Sequence, residues 1–185
     1  MTEPARPSVL ADARAIAAAD PAGQGIAATL LSYPGLHAVA AHRLAHRLWS
    51  TRWGRPAAQA IATAAAKATG ITIHPGAAIG HRLFIDHGSE VVIGETSVIG
   101  DDVTIYQGAS FVGDGSPGRR HAVVGDGVLI GSGAKVVGPV TIGEGAKIGA
   151  GAVVARDVAA GTTDRKSGSA GMPRPNMLSR MPSSA

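Results

Sequence analysis

The sequence predicts a mainly β protein with an α-helical N-terminal part, in which the β part is a parallel β-helix built from six-residue repeats. Three observations predict this fold class. Apolar residues recur every six positions over most of the chain, 26 glycines allow many tight turns, and aromatic residues make up only 3% of the 185 residues. A core with so few large rings must be filled by Ile, Val, Leu and Ala in thin layers, which favours a stacked architecture.

The six-residue repeat begins after residue 70. Each unit supplies one short strand and one turn, and three units make one coil of a triangular prism, so thirteen units predict about four coils. One unit cannot bury its aliphatic side chain alone, whereas stacked coils form a continuous core. The expected inward positions are Ile73, Ile79, Ile85, Ile93, Ile99, Ile105, Phe111, Val124, Ile130, Val136, Ile142, Ile148 and Val154.

The repeat is interrupted twice, between Ile85 and Ile93 and between Phe111 and Val124. Insertions in a solenoid leave the prism as loops, and loops often carry function. Both interruptions contain a histidine, which makes them the first candidates for a functional site.

These patterns divide the chain into three parts. Residues 1–70 form the predicted α-helical domain and residues 71–158 the β-helix. Residues 159–185 are rich in Gly, Ser and Pro and have no repeat, so we expect a flexible tail.

Two helices are predicted at the end of the N-terminal part. One follows Pro34, a break at residues 54–56 separates it from the next, and Gly70 suits the C-terminal stop of the second. His42 and His46 are four residues apart on one helix face, which is a spacing found in metal sites. We interpret them as helix-packing residues and expect no metal.

Composition limits the possible classes of function. The absence of cysteine excludes disulfides, thiolate metal sites and a cysteine nucleophile. No apolar run approaches the roughly 18 residues that span a bilayer, and the N-terminus lacks the apolar segment of a signal peptide, so we expect a cytoplasmic protein without membrane partners. The net charge of +4 fits either a mildly basic soluble protein or attraction to a polyanionic small molecule. Basic residues are not clustered with aromatic ones, which argues against nucleic-acid binding.

An ordered series of motifs adds a family resemblance. The motifs are Tyr33-Pro-Gly-Leu-His-Ala, Ile73-His-Pro-Gly-Ala-Ala-Ile-Gly80, Ile85-Asp-His-Gly, Val92-Ile-Gly-Glu-Thr96, Arg120-His121 and Gly131-Ser-Gly-Ala-Lys-Val-Val-Gly138. From about Asp20 to Val154 the chain resembles the serine O-acetyltransferases, which are hexapeptide-repeat acyltransferases. The resemblance implies that the β-helix is left-handed.

The resemblance also implies a reaction, the direct transfer of acetyl from acetyl-CoA to the hydroxyl of L-serine or a similar small acceptor. His87 matches the general base, since a neutral imidazole with a pKa of about 6.5 can take the hydroxyl proton. His121 matches a second catalytic histidine at the reacting end of the acceptor. The alternative for His87 is a solvated turn residue.

Three further residues match acceptor-binding positions of the family. Asp20 and Asp86 match carboxylates that hold the acceptor ammonium, although a helix N-cap and a turn residue are equally open alternatives. Arg120 matches the position that meets the acceptor carboxylate, for which a planar guanidinium is well suited. Its alternative is a solvated basic loop.

Other matches concern the acyl donor and assembly. The backbone around Gly113 matches a loop near the thioester, and Ser132 and Lys147 match positions along the CoA groove; Lys135 is a weaker match. The resemblance implies a homotrimer whose acceptor pocket lies between neighbouring prisms, with the pairing of trimers left open. The last residues lack the terminal Ile with which family members bind a sulfhydrylase, so that partner is not expected.

The chain also departs from the family pattern. Thr72 occupies the position of a carboxylate that orients the catalytic imidazole, Asp114 adds a negative charge near the expected path of CoA, and Glu90 replaces a glycine. Three interpretations follow: a serine acetyltransferase that tolerates Thr72, a divergent CoA-dependent O-acyltransferase with another small hydroxyl acceptor, and a catalytically weak structural homologue.

Overall fold

The computed structural model describes residues 9–10, 12–14, 28 and 31–165. Two helices, α1 (Pro34–Trp49) and α2 (Arg55–Thr69), lie next to each other before the strands begin. Both start with a proline in their first turn, as expected from its fixed φ angle. Gly70 ends α2 with φ of 72°, a left-handed conformation that glycine adopts without steric cost. The predicted helix breaks are therefore confirmed.

The strands are β1 (Thr72–Ile73), β2 (Ala78–Ile79), β3 (Phe84–Asp86), β4 (Val92–Ile93), β5 (Val98–Ile99), β6 (Thr104–Tyr106), β7 (Ser110–Val112), β8 (Val123–Val124), β9 (Leu129–Ile130), β10 (Lys135–Val137), β11 (Thr141–Ile142), β12 (Lys147–Ile148), β13 (Val153–Val154) and β14 (Thr163–Asp164). These strands form three parallel sheets. The first sheet has the order β1-β4-β7-β10-β13, the second β2-β5-β8-β11 and the third β3-β6-β9-β12-β14. Because successive strands pass through the three sheets in turn, the chain winds into a prism, and the predicted β-helix is confirmed. It has about five coils rather than the predicted four.

Two rows of side chains fill the prism. The predicted aliphatic row is buried throughout, except that Ile79 is only partly buried. A second buried row lies two residues earlier in each unit, because alternate residues of a strand share a face. It consists mostly of small residues at the corners of the prism, namely Ile71, Ala77, Leu83, Val91, Ser97, Val103, Ala109, Ala122, Val128, Ala134, Val140, Ala146 and Ala152.

The β-helix extends beyond the predicted boundary at residue 158. Val158 bridges to Ile142, and β14 then pairs with β12 through Lys147 and Thr163. The sequence did not reveal this partial coil because Thr163 and Asp164 are polar and break the aliphatic row. Residues 166–185, the rest of the predicted tail, lie outside the described residues.

An ion pair fixes α1 against the first coil. The buried Arg43 guanidinium lies 2.8 Å from the fully buried Asp12 carboxylate and also donates to the Gly80 carbonyl oxygen at 3.0 Å. The other Asp12 oxygen accepts the Arg82 backbone N–H at 2.8 Å. A buried charge needs such a partner, so this contact ties the N-terminal segment to both the helix and the prism.

His42 and His46 of α1 serve helix packing, as their sequence context predicts. The buried His42 ring lies 5.5 Å from the His46 ring, and the Nδ1 atom of His46 contacts the Pro75 carbonyl oxygen at 2.8 Å. Burial, followed by the charges of His46 and Arg43, lowers the pKa of His42 to about 3. Within the described residues, no group of three or more His, Asp or Glu side chains could hold a metal, and no helix is long and apolar enough to cross a bilayer.

Replacement of a core residue should cost far more than replacement of its exposed neighbour on the same strand. Ile142 is 0% exposed on β11, and Thr141 beside it is exposed. We expect Ile142→Ala to lower the free energy of unfolding by about 2–5 kcal/mol, and Thr141→Ala to change it by less than about 0.5 kcal/mol. Urea unfolding followed by circular dichroism measures both. Similar costs for the two variants would contradict the inward register.

The His42 environment predicts a dependence of stability on pH. Because the folded-state pKa of about 3 lies below the unfolded value of 6.5, the unfolded chain binds more protons between these values. His42 therefore makes stability fall as pH drops from 6.5 towards 3, by up to about 1.4 kcal/mol per pH unit. Across this pH range, the free energy of unfolding measured with urea should depend less on pH for His42→Gln than for the wild-type protein. The control is His37→Gln, which alters an exposed histidine of the same helix and retains His42, so the pH dependence due to His42 should persist.

Candidate functional site

Most of the described candidate site residues lie at or beside two corners of the prism, one at each end of the first-sheet strands, whereas Lys147 lies on the third sheet. The His87 corner consists of turns that join the third sheet to the first, at residues 87–91, 107–109 and 131–134. The His121 corner consists of turns that join the first sheet to the second, at residues 74–77, 94–97 and 113–122. Within one chain the two predicted catalytic histidines are therefore separated by the length of a first-sheet strand.

The His87 corner opens onto a pocket of about 280 Å³ between the start of α1 and the end of β3. Asp86 and His87 line it together with Ser32, Tyr33, Pro34, Gly35 and Ile85. The Tyr33 hydroxyl donates to Asp86 Oδ1 at 3.2 Å, and the same oxygen lies 3.8 Å from His87 Nε2. The His87 side chain is 79% exposed, so it is accessible to a ligand.

The backbone of the first interruption forms a tight left-handed turn. His87 has φ of 55° and Glu90 has φ of 62°, both in the region that favours glycine. The Ser89 N–H donates to the His87 carbonyl oxygen at 2.8 Å and closes the turn. This geometry explains why a glycine is expected at position 90, and Glu90 must adopt the same conformation with its side chain in the exposed part of the turn.

The His121 corner is organised around the hydroxyl of Thr96. Thr96 Oγ1 lies 2.8 Å from His121 Nδ1 and accepts the backbone N–H groups of Arg120 and His121, each at 3.1 Å. The Thr96 backbone N–H also points at His121 Nδ1, at 3.3 Å. His121 itself is only 7% exposed.

Glycines make room for the His121 ring. A Cβ atom at Gly94 would overlap His121 Nε2, and a Cβ atom at Gly113 would come within 3.2 Å of the same nitrogen. Gly94 follows β4 and Gly113 follows β7, so the ring edge lies against the backbone of two successive coils. The close approach is a physical reason for glycine at both positions.

Arg120 is held by a carboxylate from the coil below. Its Nη2 atom lies 2.5 Å from Glu95 Oε2, and both side chains are about one-third exposed. This pairing fixes the direction of the guanidinium while leaving part of it accessible. Arg120 also contributes positive charge beside His121.

The electrostatics of this corner favour a neutral His121. Burial lowers the pKa of its imidazole, and the adjacent Arg120 guanidinium lowers it further, against weaker opposing effects of Glu95 and Asp114. His74, on the first coil, also has a lowered pKa, chiefly because of burial. His74 Nδ1 accepts the Gly76 N–H at 3.0 Å, and its ring packs edge-on against Trp49.

The residues predicted along a CoA groove are spread over both corners and one face. Gly113 lies in the His121 corner, and Ser132 lies in the His87 corner two coils beyond His87. Lys147 is exposed on β12 in the third sheet. The Lys135 ammonium donates to the Gly108 carbonyl oxygen at 2.7 Å and to Ser110 Oγ at 3.0 Å, so it is partly engaged within the chain.

Two other sequence predictions have different outcomes. Asp20 lies outside the described residues. Thr72 is exposed at the start of β1, and among residues 31–165 no hydrogen bond joins its hydroxyl to His87. Among the described residues, the carboxylate that forms an ion-pair contact with His87 is that of Asp86, the preceding residue in the sequence.

Glu95 and Thr96 are candidates for the site that the sequence alone did not reveal. Both lie in a motif that was recognised only as a match, and their partners are 25 residues further on. The loop of residues 113–122 lies between, so the six-residue period did not reveal which side chains would stack at this corner. Only the observation that one corner collects turns from consecutive coils would have indicated the contact.

Comparisons with known proteins show which family this chain resembles. The profile of bacterial transferase hexapeptide (six repeats) matches residues 121–156. Over 145 residues the chain is 51% identical to a serine acetyltransferase of Helicobacter pylori, which corresponds to 78% of this chain and 84% of that protein. The serine acetyltransferase of Mycobacterium tuberculosis is 53% identical over 132 residues, and the chain spans only 57% of its length.

Solved structures show the same similarity. Soybean serine acetyltransferase complexed with serine superposes with a TM-score of 0.79 at 46% identity, over 84% of this chain and 64% of that one. A serine acetyltransferase in complex with CoA gives a TM-score of 0.79 at 38% identity, again over 84% of this chain and 64% of that one.

The contact between Gly94 and the His121 ring predicts a selective effect of an added methyl group. Gly94→Ala should displace the imidazole from Thr96 and leave buried polar groups without partners, at a cost of about 1–3 kcal/mol in the free energy of unfolding. Urea unfolding measures the cost, and ring ¹⁵N NMR measures the displacement.

The matched control is Gly149→Ala, which alters the same position of a later repeat. There a Cβ atom would come no closer than 3.3 Å to its neighbours, so we expect a cost below about 1 kcal/mol. An undisturbed His121 ring in Gly94→Ala would contradict the packing described here.

Proposed function

This chain belongs to the serine acetyltransferase family, and we propose that it transfers an acetyl group from acetyl-CoA to the hydroxyl of L-serine. The proposal makes it an acetyl-CoA-dependent acyltransferase of the cysteine-biosynthesis type, acting in the cytoplasm. The observation that carries it is the Asp86–His87 pair, in which His87 is exposed on a left-handed turn and both residues line a pocket of about 280 Å³.

We assign the general base to His87. A solvent-accessible imidazole takes the serine hydroxyl proton as the hydroxyl oxygen attacks the thioester carbonyl carbon. The C–O bond forms, the tetrahedral intermediate collapses with cleavage of the C–S bond, and the imidazolium returns the proton to the departing sulfur of CoA. Asp86, 3.8 Å from His87 Nε2, stabilises the positive charge that His87 carries in between.

The acceptor is held by charges of both signs. Arg120 binds the serine carboxylate, and its contact with Glu95 keeps the guanidinium oriented for that purpose. Asp86 and Asp20 bind the serine ammonium, with Tyr33 holding the Asp86 carboxylate in place. His121 meets the reacting end of the acceptor.

Such a site requires more than one chain. His87 and His121 lie at corners at opposite ends of the first-sheet strands, so a single prism cannot bring both to one serine molecule. We infer a homotrimer in which the His87 corner of one subunit faces the His121 corner of the next. The outward-facing Val92 and Val98 are 38% and 40% exposed in the isolated chain and are suited to burial between prisms.

Acetyl-CoA lies along the coils beyond the two histidines in this proposal. Gly113 allows its backbone to approach the thioester, while Ser132 and the exposed Lys147 line the path of the CoA arm. Support for CoA as the carrier comes from the similar serine acetyltransferase that was solved with CoA.

Thr72 favours a second candidate, a CoA-dependent O-acyltransferase with a different small hydroxyl acceptor. Loss of the carboxylate behind a catalytic histidine lowers kcat by about 10⁴ in serine proteases. Here Asp86 is close enough to replace part of that charge, which is why serine acetylation remains the first candidate.

The test is thiol release from acetyl-CoA by the full chain near neutral pH, with and without L-serine. We expect serine-dependent release, and a decrease of about 10²- to 10⁴-fold in kcat for His87→Ala because the base is removed. His37→Ala, on the exposed face of α1, is the control and should retain full activity. Release with another hydroxyl compound but not with serine would favour the second candidate, and no release with any acceptor would contradict both.

A further inference from the structure

The contacts of the Thr96 hydroxyl determine which atom receives its hydrogen bond. Two backbone N–H groups, those of Arg120 and His121, donate to Thr96 Oγ1 at 3.1 Å. The oxygen therefore acts as an acceptor towards the loop. Its own hydrogen remains to be donated, and His121 Nδ1 lies 2.8 Å away.

A second donor points at the same nitrogen. The Thr96 backbone N–H lies 3.3 Å from His121 Nδ1. A ring nitrogen that faces two donors must present its lone pair, and a neutral imidazole carries its single proton on the other nitrogen. We propose that Thr96 is a positioning residue that holds the His121 imidazole as the neutral tautomer with its proton on Nε2.

The position of Nε2 indicates what this proton does. Nε2 lies against the backbone of Gly94 and of Gly113, and Gly113 belongs to the loop that is proposed to lie near the thioester. On the basis of the proposed function, His121 therefore donates a hydrogen bond to an oxygen of the reacting groups and cannot take the serine proton. The two histidines divide the chemistry, with His87 accepting the proton and His121 donating to oxygen.

Loss of the Thr96 hydroxyl should also change the titration of His121. A hydrogen bond donated to Nδ1 stabilises the neutral ring, so its removal raises the pKa of His121. The other charged or titratable groups that face His121 are Arg120, Glu95, His74 and Asp114, and all remain in a Thr96 variant. A shift in the variant can then be attributed to the hydroxyl.

The first measurement needs no Thr96 variant. Ring ¹⁵N correlation spectra of the labelled full chain, with the His121 signals assigned by their loss in His121→Gln, report which nitrogen carries the proton. We expect a protonated Nε2 and an unprotonated Nδ1. A proton on Nδ1 would overturn the proposal.

The second measurement compares Thr96→Val, Thr96→Ser and Ser97→Ala. Thr96→Val replaces the hydroxyl by a methyl group, which removes the nearer of the two donors to His121 Nδ1 and also the acceptor of the Arg120 and His121 N–H groups. We expect mixed tautomers and a raised pKa of His121. We also expect kcat to fall about 10- to 100-fold, less than the roughly 100- to 1000-fold cost of deleting a hydrogen-bond donor to a reacting oxygen. KM for acetyl-CoA should change little. Thr96→Ser restores the hydroxyl and should restore the tautomer, the pKa and kcat.

Ser97→Ala is the matched control, since Ser97 is a buried hydroxyl on the next residue with no hydrogen-bond partner among the described residues. It should leave the His121 spectrum unchanged. An unchanged tautomer, pKa and kcat in a folded Thr96→Val would overturn the proposal. If the original chain releases no thiol with serine while its His121 spectrum responds to Thr96→Val, the proposed function fails and the role of Thr96 stands.

Discussion

The whole architecture depends on the burial of two side chains in every six-residue unit, which is possible only when coils stack. A single coil cannot shield a side chain such as Ile105 from water. The coils on either side complete its burial. The small residues of the second row, Ala109 and Ala134 among them, let the chain turn at the corners without a void. Stacking also determines which surface residues become neighbours, because equivalent turns of successive coils lie next to each other at each corner.

The functional geometry follows from that register. Glu95 and Arg120 meet because they lie at the same corner on adjacent coils, and Thr96 meets His121 for the same reason. At the other corner the left-handed turn projects His87 away from the prism while Tyr33, from the helical part, fixes Asp86. The rigid repeat thus positions the side chains of both corners, and the two interruptions supply the side chains that differ from the repeat.

Sequence predicted the aliphatic row and the helix ends well, because they depend on local periods and on proline and glycine chemistry. Gly70 is an example, since its place after an alanine-rich helix already indicated a left-handed C-cap. Partners across coils were not predictable, because the loop of residues 113–122 separates Thr96 from His121 by an arbitrary length of chain. The partial last coil was missed because Thr163 pairs through its backbone and buries no aliphatic side chain there.

His87 and His121 lie at opposite ends of the first-sheet strands, so the proposed site depends on the concentration of the protein. If each working site combines one corner from each of two subunits, dilution below the association range removes the sites without unfolding a single prism. Subunit association and turnover are then linked by mass action, and any ligand that bridges the two corners holds the subunits together. In such an assembly, binding of the substrates also stabilises the subunit interface.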